Sequence, residues 1–237
     1  FRSFAFAYYR RYEKQVWLGR DYLGKKPLYW TNLNGTLFWS SSRESFSSLR
    51  KTSINSKSIF QFLSLGYLID PVTMDIKTES LMPGTLAIFD YRFKVERIET
   101  ASINPVVEKN KLGLRKLIES ATESRIEGHE KIALSLSGGV DSSIIALQLR
   151  KYGISAKAFT SIWKDSDKER YNIDVKIASQ IAKKLGLSFQ EIEMPSPDEI
   201  PSSLDQFLVA MEEPNGNPTG ISLYALYSEI SQQDFRL

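Results

Sequence analysis

Seven consecutive residues, Ser137-Gly138-Gly139-Val140-Asp141-Ser142-Ser143, carry types suited to holding a phosphate. Two adjacent glycines let a backbone approach a ligand closely and turn its N–H groups toward it. The apolar run Lys131–Leu136 leads straight into the loop, and a helix is expected over Ser142–Tyr152. In a parallel sheet, ligands collect where strands end and helices begin. The helix N-terminus adds free N–H donors and partial positive charge. Ser137, Ser142 and Ser143 add hydroxyls. Asp141 should repel a phosphate unless Mg²⁺ bridges them, since a hard cation takes oxygen from both. The plainer alternative is that Asp141 caps the helix and the glycines only make a tight turn. The spacing is that of neither a Walker loop nor a dinucleotide fingerprint.

Such a loop needs a parallel sheet to carry it, and the second half of the chain supplies the pattern. A helix is expected from Leu112 to Ile126 with Leu114, Leu117 and Ile118 as its apolar positions. Strands are expected over Lys131–Leu136, Ala156–Ile162 and Ser188–Glu193, alternating with helices over Ser142–Tyr152 and Tyr171–Leu185. Ile173, Ile177 and Ile181 mark one face of the latter. Further helices are expected over Ser202–Met211 and from Thr219. Strand–helix alternation implies a parallel sheet with helices on both faces.

The first half reads differently. Four short apolar runs, Phe4–Tyr9, Val16–Gly19, Pro27–Trp30 and Thr36–Ser40, suggest an antiparallel sheet. Asn32–Gly35 is a hairpin turn. Ser56–Leu65 reads as a helix with Ile59, Phe60 and Leu63 on one face and Ser56 or Ser58 as its cap. Thr85–Phe89 and Lys94–Ile98 should pair. The expected division is 1–95 and 96–237.

Composition narrows the classes. A net charge of +3 spread over the chain gives little support for nucleic-acid binding. With no cysteine and the single His129, disulfides, thiol chemistry and an ordinary structural zinc site within the chain are excluded. No apolar run approaches the roughly 18–20 residues of a membrane span. A reducing, cytoplasmic setting is the natural expectation, with no nucleic-acid or membrane partner. Chain ends at Phe1 and Leu237 read as cut from a longer protein.

The pattern S-G-G-x-D-S resembles the pyrophosphate loop of the adenylating ATP pyrophosphatases, which cleave ATP to AMP and pyrophosphate. The flanks resemble one member, glutamine-hydrolysing asparagine synthetase. The matching stretches are Phe4–Ala7, Leu18–Tyr29, Phe38–Glu44, Gly66–Leu68 and Leu81–Gly84, then Tyr171-Asn172 through Gly186 and Glu212–Pro218. The resemblance implies an adenine-nucleotide α-hydrolase-like α/β domain preceded by part of an α+β N-terminal-nucleophile hydrolase sandwich. It implies ATP and Mg²⁺ as cofactors, with Asp141 catalytic and metal-binding. Nucleotide contacts would come from Ser135, Leu136, Ser137, Gly138, Gly139, Asp141, Ser142 and Ser143. The end of the second strand, Thr160, Ser161 and Ile162, would flank the adenosine, the alternative being plain sheet core. Glu212 and Glu213 would face the acceptor site, which takes an aspartate-like substrate, or else be solvated before Pro214. The ammonia donor would be glutamine or free ammonia, and a homodimer is compatible.

Other features have bland readings. Arg20-Asp21 should fix the turn before Gly24, His129 should sit in a polar loop, and Trp17, Trp30 and Trp39 should be core. The resemblance places the nucleophilic Cys before this chain and a second glycine-rich ATP stretch after it, so the chain alone is expected to bind ATP weakly and turn nothing over. It also places at Arg10 an aspartate that receives the α-ammonium of glutamine, so glutamine hydrolysis is expected to be poor. That substitution raises a second reading, an intramolecular amide ligase similar to β-lactam synthetases or lasso-peptide cyclases. A third is a non-catalytic remnant.

Overall fold

A computed structural model describes residues 3–92, 94–100, 113–128, 131–163, 172–217, 219–233 and 235. The chain divides into two compact units, Phe1–Val107 with Leu208–Asn217, and Glu108–Phe207 with Pro218–Leu237. Among the described residues no helix is long and apolar enough to cross a membrane.

The first unit holds two small sheets. One orders β1 (Ala5–Arg10), β2 (Gln15–Arg20), β6 (Thr85–Phe89) and β7 (Val95–Thr100), all antiparallel. The other orders β4 (Thr36–Ser40), β3 (Tyr29–Leu33) and β5 (Glu79–Ser80). Strand alternation places Val16, Leu18, Ala87 and Phe89 inward, where they meet Leu28, Leu37 and Leu81. Trp30 packs edge-on against Phe89, ring centres 5.0 Å apart. The hairpin between β3 and β4 turns at Asn34 and Gly35, both at positive φ, the twist that a two-residue hairpin needs.

Helix α1 (Ser56–Leu65) has the expected span, but its cap is Asn55, whose side chain accepts from the Lys57 N–H. Ser58, expected as a cap, is instead the helix's buried residue, while Ile59, Phe60 and Leu63 are exposed. Trp39 is exposed too, contrary to its expected place in the core. Arg20 and Asp21 fix the turn as expected. The Arg20 guanidinium donates to the Gly24, Lys26 and Leu81 carbonyls, and the Asp21 carboxylate accepts from the Leu23, Lys25 and Lys26 amides. Those amides hold the Asp21 carboxyl below its ordinary range, Lys26 contributing most, against the opposing effect of desolvation.

The second unit is the expected α/β piece. Strands β8 (Ile132–Ser135), β9 (Ala156–Ile162) and β10 (Ser188–Glu193) form a parallel sheet in the order β10-β9-β8. Helices α3 (Val140–Lys151) and α4 (Ile173–Leu185) cover one face, where Leu134, Leu136 and Ala158 meet Ala146, Leu149, Ala178 and Ala182. Helix α6 (Thr219–Ser231) covers the other, its Leu226 and Ile230 packing on Phe159, Ile192 and Met194. Between these, α5 (Ile200–Met211) runs into the Leu208–Asn217 segment of the first unit. The apolar positions expected on two helices pack only in part, Ile181 of α4 lying against the core. In α4, Val175, Ala178 and Ala182 are buried, whereas Ile173 and Ile177 are exposed. In α2 (Gly113–Ile126), Leu114 and Leu117 are exposed and Thr122 is buried. Leu112, His129 and Tyr171 lie outside the described residues.

Candidate active site

The Ser137–Ser143 loop sits where its pattern requires, between the end of β8 and the start of α3. Leu136 continues β8 by donating its N–H to Phe159 at 2.8 Å. Gly138 then turns at φ +79, and a Cβ there would come within 2.9 Å of the Asp174 carbonyl and 3.0 Å of Ile177. The loop therefore lies against the first turn of α4, and glycine is needed for two independent reasons, conformation and space.

Gly139 is the N-cap of α3, and no side chain caps that helix. Asp141 is thus a first-turn residue, not the cap. Its side chain is exposed. Among the described residues, nothing hydrogen-bonds or ion-pairs with its carboxylate. A free carboxylate in a helix's first turn is favoured by the helix dipole and remains available to a ligand. The serines are partly engaged. Ser143 Oγ donates to the Gly139 carbonyl at 2.6 Å, and Ser137 and Ser142 lie 3.2 Å apart through their hydroxyls. The helix N-terminus is left with amide donors that no side chain satisfies, which suits an anion.

The β9 end lies beside this loop, because Ser135 pairs with Phe159 in register. Ser135, Leu136, Thr160, Ser161 and Ile162 are therefore neighbours of the loop. Thr160 is buried, while Ser161 and Ile162 are partly exposed. Among the described residues no group of three or more His, Asp or Glu side chains could hold a metal alone. A cation at Asp141 would need oxygens from a phosphate ligand, which is the donor chemistry the expected Mg²⁺ prefers.

The remaining expected site residues, Arg10, Glu212 and Glu213, lie in the first unit. Arg10 donates to Glu13 and stands over the Trp17 ring, 4.9 Å from its centre, at the end of β1. Glu212 and Glu213 belong to the first unit and are neither solvated nor free. Glu212 accepts from the Ser42 hydroxyl and the Arg43 N–H, and the Arg43 guanidinium donates to the Glu212 carbonyl. Glu213 lies 3.0 Å from Arg43 Nε as an ion pair without hydrogen-bond alignment, and it also accepts from the Met74 N–H. Burial pushes the Glu213 carboxyl up, with Arg43 opposing. Burial and the two glutamates likewise push up the Tyr29 hydroxyl. Gly216 completes this strap by donating its N–H to Gly66 at 2.7 Å. Ser42 and Arg43 lie in the Phe38–Glu44 stretch that resembles the family, but nothing in their types assigns them this task. A contact across some 170 positions leaves no local signal.

The strap makes a testable contribution. Glu212→Ala would strand the Arg43 N–H and lose the Ser42 bond, so stability should fall by about 1–3 kcal/mol. Glu212→Gln, which keeps one acceptor oxygen, should recover part of it. Chemical denaturation checks this, and equal midpoints for the three proteins would contradict the strap.

Comparison with known proteins bears on what the loop belongs to. The family model described as asparagine synthase matches residues 113–237. This chain belongs to the asparagine synthase family. A glutamine amidotransferase domain model matches residues 3–98. The strap falls inside the asparagine synthase match yet packs in the unit that carries the amidotransferase match.

The chain is 26% identical over 237 residues to asparagine synthetase [glutamine-hydrolyzing] 1 of Bacillus subtilis, covering 97% of this chain and 36% of that protein. It is 28% identical over 152 residues to a putative asparagine synthetase of Methanocaldococcus jannaschii, covering 61% of this chain and 26% of that one. The chain thus spans about a third or less of the length of these asparagine synthetase relatives. A tRNA-specific 2-thiouridylase of Pseudoalteromonas atlantica is 35% identical over 77 residues, 31% of this chain and 19% of that protein. Among solved structures, a glutamine-dependent NAD⁺ synthetase of Acinetobacter baumannii, in complex with ADP, matches with a TM-score of 0.38 and 14% identity over 98% of this chain and 58% of that one.

Proposed function

We propose that this asparagine synthase family chain serves ATP-dependent amide formation, with the Ser137–Ser143 loop holding the pyrophosphate of ATP. The observation that carries the reading is the loop itself: positive-φ Gly138, an uncapped helix start and a free Asp141 at the end of a parallel strand. In the proposed reaction an aspartate-like carboxylate attacks the α-phosphorus of ATP, and pyrophosphate leaves. Ammonia, from glutamine or free, then attacks the acyl carbon, and AMP leaves with the former carboxylate oxygen. Adenylation is needed because a carboxylate oxygen is a poor leaving group and AMP a good one.

In this reading the backbone amides at the start of α3 bind phosphate oxygens, and the Ser137, Ser142 and Ser143 hydroxyls orient them. Asp141 holds Mg²⁺. Bound there, Mg²⁺ would neutralise charge building on the departing pyrophosphate. Residues 1–95 would serve the glutaminase side and 96–237 the synthetase side. Arg10 is held by Glu13 and Trp17, and with a guanidinium in place of an aspartate the second reading, an intramolecular amide ligase, stays beside the first; a glutaminase assay on the full-length protein with Arg10→Asp alongside decides between them. The test is exchange of labelled pyrophosphate into ATP by the full-length protein, with aspartate as acceptor. Aspartate-dependent exchange is the expected outcome, and no exchange with any amino-acid carboxylate would defeat the reading.

A further inference from the structure

The chain leaves the parallel sheet at Trp163, just after β9, and Asn172 immediately precedes α4. These two residues are joined twice. The Trp163 N–H donates to Asn172 Oδ1 at 3.1 Å, and Asn172 Nδ2 donates to the Trp163 carbonyl at 2.8 Å. Asn172 is 7% exposed. It occupies the N-cap position of α4, where an Asn side chain ordinarily accepts from the helix's own amides, yet it makes no capping bond. Its amide is spent on the strand end instead. A side-chain amide offers a donor and an acceptor on two separate atoms, whereas an ionised Asp, which caps equally well, offers acceptors alone.

The consequence follows from the ladder. In a parallel sheet, alternate residues of a strand direct their N–H and C=O groups to opposite neighbours. Met194 donates to the Ile162 carbonyl, so Thr160 and Ile162 face β10. Leu136 donates to the Phe159 carbonyl, so Phe159, Ser161 and Trp163 face the β8 side. There β8 stops at Ser135, and the chain departs into the Ser137–Ser143 loop. Among the described residues none continues the ladder to Ser161. Asn172 occupies the backbone groups of Trp163, so the N–H and C=O of Ser161 remain as one donor and one acceptor side by side, next to the loop. That pair matches the edge of an amino-purine, which offers a ring nitrogen beside an amino group.

We infer that Asn172 is a positioning residue for the nucleoside end of the site, acting through the backbone of Trp163 on that of Ser161. The inference rests on the nucleotide reading above. The same helix start also backs Gly138 through Asp174 and Ile177, so α4 supports both limbs of the site, each by different residues. Asn172 serves the nucleoside limb and should leave the phosphate limb alone.

The test separates the limbs. Binding of ATP and of tripolyphosphate, each with Mg²⁺, is measured by calorimetry on the protein and on Asn172→Ala and Asn172→Asp. Asn172→Asp keeps the acceptor, loses the donor and sets a carboxylate against the Trp163 carbonyl. Both variants should bind ATP at least about tenfold more weakly, the equivalent of one hydrogen bond. Tripolyphosphate affinity should be unchanged, which also shows that the variants are folded. Unchanged ATP affinity in both variants would overturn the inference. Equal weakening of ATP and tripolyphosphate would overturn it too, since that is what loss of a purely structural tie gives. If the unsubstituted protein bound neither ligand, the nucleotide reading would fall and this inference with it, an outcome distinct from the other two.

Discussion

In the full-length protein, Asp141→Ala and Asp141→Asn should each lower AMP and pyrophosphate formation by about a thousandfold, the several kcal/mol a bound divalent cation would contribute. The fold should survive. Asp141 is exposed in the first turn of α3 and holds no other side chain. Its only structural contribution is to the helix dipole, about 0.3–1 kcal/mol. The two effects therefore separate by experiment. Thermal unfolding should move little, while turnover collapses and its residual rate loses its dependence on Mg²⁺. Asn is the more telling variant, because it keeps size and polarity and removes only the charge. Pyrophosphate release at the normal rate by Asp141→Asn would sink the assignment of Asp141 as metal ligand and leave the loop as a simple anion cradle.

The second large effect is expected at Gly138, and here folding and binding should fall together. Any L-residue at φ +79 is strained, by about 1–2 kcal/mol. The added Cβ would also press on the Asp174 carbonyl at 2.9 Å and on the β-branched Ile177 at 3.0 Å. Neither neighbour is the free end of a flexible side chain, so α4 or the loop must shift. Overpacking of this kind costs about 1–3 kcal/mol. Gly138→Ala should thus destabilise the second unit by roughly 2–5 kcal/mol. Gly139→Ala is the internal control. Its φ is −71, and the nearest atom to a new Cβ is Ser137 Oγ at 3.4 Å, an ordinary contact. Its cost should stay below about 1 kcal/mol. Denaturant midpoints for the pair decide the matter. Equal losses would mean that the loop's glycines are interchangeable and that its seat against α4 is not what demands the first of them.

The sequence by itself determined the elements and the loop. Strand spans such as Ala156–Ile162 and Ser188–Glu193 coincide with those found, because short segments between a helix-ending Gly and the next polar stretch are local signals. The parallel order followed from alternation of strand and helix, and the place of Ser137–Ser143 followed from the strand before it and the helix after it. Only the tertiary structure decided which side of each helix is covered. Ile59, Phe60 and Leu63 mark an apolar stripe on α1 that stays exposed, and the Ile173–Ile177 stripe of α4 loses to Val175, Ala178 and Ala182. Periodicity states that a stripe exists; it carries no information about what lies opposite. The tertiary structure likewise decided the partners of polar groups. Arg10 goes to Glu13 and Trp17, Glu212 to Ser42 and Arg43, and Asn172 to Trp163. A hydrogen bond depends on where two groups meet in space. The identity of a donor fixes what it needs, and only the folded chain fixes who supplies it.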